Sequence, residues 1–535
     1  MRNTLSAFIL FSLFWMNHIA YGAETSQISQ FGITWTFDTN YEYGQFANGD
    51  YWVVENSSGG GVTIININPL SLNNGSAILH GSMINPETGN VNPGGNGKHV
   101  YQGFDSRLSN YNANFNVARP NDNNLSQSNP LHIPAGSSLI SAISNPATPS
   151  WSSKVMALDT VAVLTVLDSA PAPGSFRPAY CGTDKRIKYN MADLDFTKLG
   201  SVRLVGAGIN SLATYERMVE RPWLDFGHDT NGSYMHPAKN MQPDGAWLAA
   251  EVSQIALILN SSDYTNAEKL RLMVRFVQVG IDNYGVHAGT NVTPTTWNAN
   301  GQIGSGRKFP IVFAGAVLDN PYAASEMGSI GNKSIDAVGF KGPGYVSFAE
   351  DEQTFYVTPH PNSETDDQKR AIWSAGTDMD YDIFVPNPDS QVKYRPHDHD
   401  NSYYGHANPG KNHEYPEYMA GKYIPGTEFL SGAGHEGMPE WGLIHVFRRD
   451  YDGLSWNAPY RHTNASRWGG FVLATHLMGL KGKWNHNALF DYMDRYMTIE
   501  DGSQNPSWVG DMWRTYRNQN VAVATAPRAP ALMIE

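Results

Sequence analysis

A chain of 535 residues with 41% hydrophobic and 12% aromatic content can fill large cores, which excludes a disordered protein. Its formal net charge of −13, from 37 Lys and Arg against 50 Asp and Glu, excludes a general nucleic-acid binder, because no basic excess exists to displace phosphate counterions. The single cysteine, Cys181, excludes an internal disulfide framework, so stability rests on packing.

At the start of the chain, Arg2 precedes the apolar run Ala7-Phe8-Ile9-Leu10-Phe11, which continues to Trp15-Met16 and is too short to span a bilayer. Ala20-Tyr21-Gly22 then places small residues before a polar Glu24-Thr25-Ser26-Gln27. Residues 1–22 therefore read as a cleavable signal peptide, with a cut after Gly22 and a secreted or periplasmic mature protein. No later stretch is apolar for long enough to read as a membrane span.

Residues 23–170 carry short β-branched and aromatic runs separated by Gly, Asn and Pro: Ile33–Phe37, Tyr51–Val54, Val62–Ile65 and Val161–Leu167. They predict a β-rich N-terminal domain, a sandwich or curled sheet, with hairpin turns at Asn48-Gly49 and Asn74-Gly75. Ala170-Pro171-Ala172-Pro173-Gly174 and Phe176-Arg177-Pro178 break regular structure, so 171–195 reads as a linker.

Beyond it the period becomes helical. Leu248, Val252, Ile255 and Leu259 share one face, as do Leu270, Met273, Val274, Val277 and Ile281. Further helices are expected over Pro310–Leu318, Ala465–Leu480 and Ala488–Met497, the last with Asn485 as a cap. Long Gly-, Pro- and aromatic-rich loops, notably 394–439, lie between them. The expected fold is α+β and multidomain: a β-rich N-terminal domain, then a mainly helical catalytic domain over 196–520, an α/α toroid or barrel, with a tail at 521–535.

Several clusters carry proton-transfer groups. His397-Asp398-His399-Asp400 sits between Arg395 and Tyr404, with His406 and His413-Glu414 following. No cysteine or helical His pair reinforces it as a metal site, so a polar substrate-facing loop or plainly solvated histidines are expected ahead of a bound metal ion, and no cofactor is assigned. Gly434-His435-Glu436-Gly437 and Glu440-Trp441 form a second cluster, where glycines let the backbone approach a ligand and histidine offers a base. Tyr460-Arg461-His462 and Arg467-Trp468 form a third, in which a guanidinium favours phenolate. Asn240 precedes the helix expected near Gly245, and Tyr284 and His287 end the next one. Arg307 and Lys308 open another helix, and Glu350-Asp351-Glu352 places acids beside aromatics.

In layout the chain resembles secreted polysaccharide lyases that join an α/α toroid to β-sheet domains, with the β part first here rather than last. The resemblance implies cleavage of a uronic-acid polymer by β-elimination: a base takes the C5 proton, a cation or amide neutralises the C6 carboxylate, and an acid protonates the leaving C4 oxygen. It implies Asn240 and Arg461 as carboxylate neutralisers, Tyr460 or Tyr284 as proton donor, and His287, His413 or His435 as base. Substrate contacts fall to Arg307, Lys308, Glu350, Arg395, Tyr404, Trp441 and Trp468. A glycoside hydrolase on an α/α barrel, using Glu350, Glu436 or Glu440, is the second enzymatic reading. A non-catalytic glycan-binding surface protein is the third. The expected partner is a polysaccharide, and oligomeric state is left open.

Overall fold

A computed structural model describes residues 22–87, 101–150, 155–225, 245–288, 297, 303–335, 346–356, 439–441, 459–499 and 502–517. The expected signal peptide and the tail at 521–535 lie outside them.

The N-terminal part is β-rich, as the short β-branched and aromatic runs predict. Its strands are β1 (Glu24–Gln30), β2 (Ile33–Gln45), β3 (Tyr51–Val54), β4 (Val62–Asn68), the small hairpin β5 (Leu72–Asn73) and β6 (Ile78–Leu79), then β7 (Ser82–Ile84), β8 (Leu131–Ile133), β9 (Ser137–Ser144) and β10 (Leu158–Leu167). Eight form one sheet in the order β7-β9-β10-β3-β2-β4-β8, with β1 added to β2. The β10–β3 pair is parallel and its neighbours are antiparallel. The 13-residue β2 pairs with β1 over Ile33–Thr36 and again at Tyr41 and Glu42, with β4 over Thr34–Phe37, and with β3 over its last three residues, which curls the sheet around it. Gly49 and Gly75 both take positive φ in the expected Asn-Gly turns, a conformation open to glycine without a Cβ penalty.

Strands β9 and β10 are buried along almost their whole length, because each face has its own apolar neighbour. Leu139, Ala162, Leu164 and Val166 join Trp35, Phe37, Val53 and Ile64 in the sheet's own core. Ile140, Ala142, Val161 and Val163 point the other way, into a core shared with the helices. The sheet and the helical region are therefore continuous through one hydrophobic interior.

The C-terminal part is helical: α1 (Leu212–Met218), α2 (Gly245–Leu259), α3 (Asn266–Ala288), α4 (Lys308–Val317), α5 (Pro321–Ser325), α6 (Ala349–Gln353), α7 (Pro459–Leu477), α8 (Lys481–Trp484), α9 (Asn487–Ile499) and α10 (Ser507–Tyr516). Short strands β11 (Ser334–Ile335) and β12 (Val346–Ser347) pair with each other, as do β13 (Thr354–Tyr356) and β14 (Pro439–Trp441). Every residue of α2 except Trp247 is buried, so this helix is the centre of the layer. At Gly470 a Cβ would meet the Ser253 carbonyl oxygen at 2.5 Å, and at Gly280 the Pro310 carbonyl oxygen at 2.3 Å, so α7 against α2 and α3 against α4 pack backbone to backbone. Thr265 and Glu268 exchange bonds as a capping box and set the start of α3.

Two expectations change. Asn485 does not cap the following helix; its φ of 57° ends α8 in the left-handed conformation, which an amide side chain tolerates. Residues 171–195, expected to be a linker, thread the seam between sheet and helices with Phe176, Arg177, Tyr180, Cys181 and Lys185 buried. Arg177 ties them to both sides. Its guanidinium reaches Asp50 beside the sheet at 2.6 Å and Asp282 in α3 at 2.6 Å. Among the described residues, no helix is long and apolar enough to cross a membrane.

Candidate functional site

The packing of α2, α3, α4 and α7 brings one set of helix ends together. Asn283, near the end of α3, donates to the Arg307 carbonyl at 3.3 Å; Ser305, just before α4, bonds Asn464 in α7 at 3.0 Å; Gly306 lies against Ala249 of α2. Around this end the described chain concentrates buried charge.

Arg307 and Lys308 are neighbours in sequence but serve different carboxylates. The Arg307 Nε donates to Asp225 at 2.6 Å, and Trp297 adds its indole N–H to the same carboxylate at 3.2 Å. Lys308 pairs with Asp351, which also accepts from the Ser334 hydroxyl and, at 2.9 Å, from the Trp484 indole. Burial pulls the Lys308 pKa below its ordinary value, with Asp351 opposing the shift. Glu350 accepts the Gly306 N–H at 2.7 Å through one oxygen, while its other oxygen is buried without a hydrogen bond. Burial raises its pKa to about 7.

A second group lies on the last turn of α3. The rings of Tyr284 and His287 meet edge to face with centroids 5.9 Å apart, and the Lys333 ammonium stands 5.9 Å from the Tyr284 ring centre. Burial, reinforced by Lys333, lowers the His287 pKa to about 4, so its imidazole is neutral at physiological pH. Burial and the negative charges of Glu326 and Asp184 raise Tyr284 to about 12, which keeps its phenol protonated. The result is a neutral imidazole, a protonated phenol and an ammonium within one turn of helix and its neighbour. That set can accept a proton, donate a proton and neutralise an anion.

Of the expected site residues, the structure brings Tyr284 and His287 together. Arg307, Lys308, Glu350 and Trp468 differ from expectation: each is at most 2% exposed and held by internal partners, so none presents its side chain to a polymer, whereas His287 keeps 5% exposure beside the half-buried Tyr284. Arg307 and Lys308 are instead neutralised by internal carboxylates, and the Trp468 indole donates to Ser305 at 3.3 Å. Tyr460 and Arg461 lie in the first turn of α7 and Trp441 in β14, opposite Thr354, with their side chains outside the described part. Asn240, His413, His435, Arg395 and Tyr404 lie outside the described residues, as does the His397–His406 segment weighed as a metal site. Among the described residues no group of three or more His, Cys, Asp or Glu is placed to hold a metal ion. Sequence reasoning missed Lys333, Asp225, Asn283 and Trp484 as members of these clusters. Asp225 had a local signal, a lone acid directly after the apolar Trp223-Leu224; Lys333 had none.

Comparison with family models, curated proteins and solved structures gives no match.

Proposed function

We propose that the chain is a secreted enzyme that degrades a uronic-acid polysaccharide by β-elimination, its helical layer being part of an α/α toroid. The observation that carries the reading is the grouping of His287, Tyr284 and Lys333. The proton beside a carboxylate is a weak acid, so its removal needs a neutral base and a cation that stabilises the enolate-like charge. His287 accepts the C5 proton and Lys333 neutralises the C6 carboxylate. As the C4–O bond breaks and the C4–C5 double bond forms, Tyr284 gives its proton to the leaving oxygen.

The experiment is incubation of the full chain with several uronate polymers while following the ultraviolet absorbance of the unsaturated product. A gain that disappears in Tyr284→Phe, His287→Ala and Lys333→Ala, each still folded by circular dichroism, supports elimination. New reducing ends on a neutral glycan without that absorbance would overturn it in favour of hydrolysis. Glu350 has the raised pKa, about 7, of a general acid, but it is fully buried and does not reach a glycan. Asp351, the next residue, is held by Lys308, so elimination is the better supported of the two.

A further inference from the structure

A cleft of about 820 Å3 lies on the seam between the sheet and segment 183–193, closed at one side by Asn320. It is separate from the helix ends that hold Arg307 and Lys308. Asp195 and Asp319 bond backbone groups around Val317 and Asp193, which puts the cleft at the far end of α4, a helix about 15 Å long. The volume is within the range of ligand-binding clefts.

The chemistry of the lining selects among ligands. Asp168, Ser169, Asn190, Asp193 and Asn320 offer carboxylates, an alcohol and amides, and Ile187 adds apolar surface that is 36% exposed. Tyr322, two residues past Asn320 and 52% exposed, lies within electrostatic range of Arg186 on the cleft wall. The cations of the wall are already engaged. Arg186 pairs with Asp184 at 2.6 Å, Lys188 with Glu326 at 2.7 Å, and Lys185 donates to the carbonyls of Ala179 and Tyr180. Asp168 bonds the Ser169 hydroxyl, and Asp193 bonds amide groups of Asn190 and Asn320. The wall thus offers acceptors and amides to hydroxyl groups, and its charges are largely balanced.

We infer that this cleft binds a neutral oligosaccharide chain, with Asp168 and the amides bonding sugar hydroxyls and Tyr322 and Ile187 lying under ring C–H faces. The cleft adjoins the proposed elimination site, since Asp184 and Glu326, which pair with its Lys188, also act on Tyr284, but binding there does not depend on that reaction. A chain held there would keep the protein on a mixed or neutral polysaccharide while the helix ends act elsewhere on the same material.

The test is ligand-observed NMR and calorimetry on the full chain with hexasaccharides of glucose, mannose and xylose, and with a hexauronate as the charged control. At least one neutral hexasaccharide is expected to bind, with affinity falling tenfold or more in Asp168→Ala and in Tyr322→Ala. Both are surface changes whose folding is checked by thermal melting. The hexauronate is expected to be insensitive to Asp168→Ala. Absence of binding by all three neutral ligands, unchanged affinity in both variants, or hexauronate binding that Asp168→Ala weakens would each overturn the proposal. Repeating the titration in Tyr284→Phe separates the two sites: binding there persists even if no polymer is ever eliminated.

Discussion

Arg177 meets Asp282 through two parallel hydrogen bonds, Nη1 to Oδ1 at 3.0 Å and Nη2 to Oδ2 at 2.6 Å, and the same guanidinium gives its Nε to Asp50 at 2.6 Å. One cation therefore joins the end of the sheet to the middle of the helical layer, in a site where both carboxylates are buried. Replacing Arg177 by Met strands two internal carboxylates. The expected loss is about 3 to 5 kcal/mol of unfolding free energy, the range for breaking a buried ion pair from one side. Urea unfolding followed by tryptophan fluorescence measures it, and a loss below about 1 kcal/mol would show that the seam is held by apolar contacts alone.

Acid destabilises the fold well before the carboxylates titrate. The pKa of His287 falls from 6.5 to about 4 through burial and Lys333, and that of His476 to about 3 through burial and the cations Arg517 and Lys481. Both groups are harder to protonate folded than unfolded, so the unfolded chain binds more protons and stability falls as pH drops below 6.5. Each histidine accounts for about 2 to 3 kcal/mol by pH 4.5. Urea midpoints between pH 7.5 and 4.5 give the slope, and His476→Gln should flatten its share; an unchanged slope in that variant removes His476 from the account.

Glu350 acts in the opposite direction. Its folded pKa of about 7 exceeds the ordinary 4.5, so its stabilising contribution is full below 4.5 and is lost as pH rises through 7. Glu350→Gln keeps an oxygen for the Gly306 N–H and cannot ionise. The variant should match the wild type at pH 4 and exceed it by up to about 3 kcal/mol at pH 8. Equal stability at pH 8 would show that the carboxylate has a partner when charged.

Gly285→Ala tests how closely the seam segment lies on α3. In an exposed helix this change gains about 1 kcal/mol. Here the new Cβ would stand 2.1 Å from the Ala179 Cβ, so the segment must move, at a cost of about 1 to 3 kcal/mol. A net loss is expected in thermal melting, and a rise in melting temperature would mean that 177–181 shifts freely.

Much of the scaffold was legible because its periods are local. The short β-branched run Val161–Leu167 and the helical spacing from Leu248 to Leu259 each identify an element without knowledge of any partner. What each face meets was not legible: Val161 and Ala162 look alike in sequence, yet one packs on helices and the other inside the sheet. The same limit applied to charge. Arg307 and Lys308 read as substrate contacts because nothing near them in the chain shows that Asp225, 82 residues earlier, and Asp351, 43 residues later, neutralise them. Tyr284 and His287 were legible as a pair for the converse reason, their spacing of three on one helix. Lys333 joins them only through tertiary packing.

Cys181 sits in the seam at 2% exposure, one residue after Tyr180, whose backbone N–H is held by Asp282. A thiol reagent can reach it only when the sheet and the helical layer come apart there. As the chain's single sulfhydryl, it is a built-in clock for that motion: its labelling rate, compared with that of the unfolded chain, converts directly into the free energy of opening the seam, with no engineered probe.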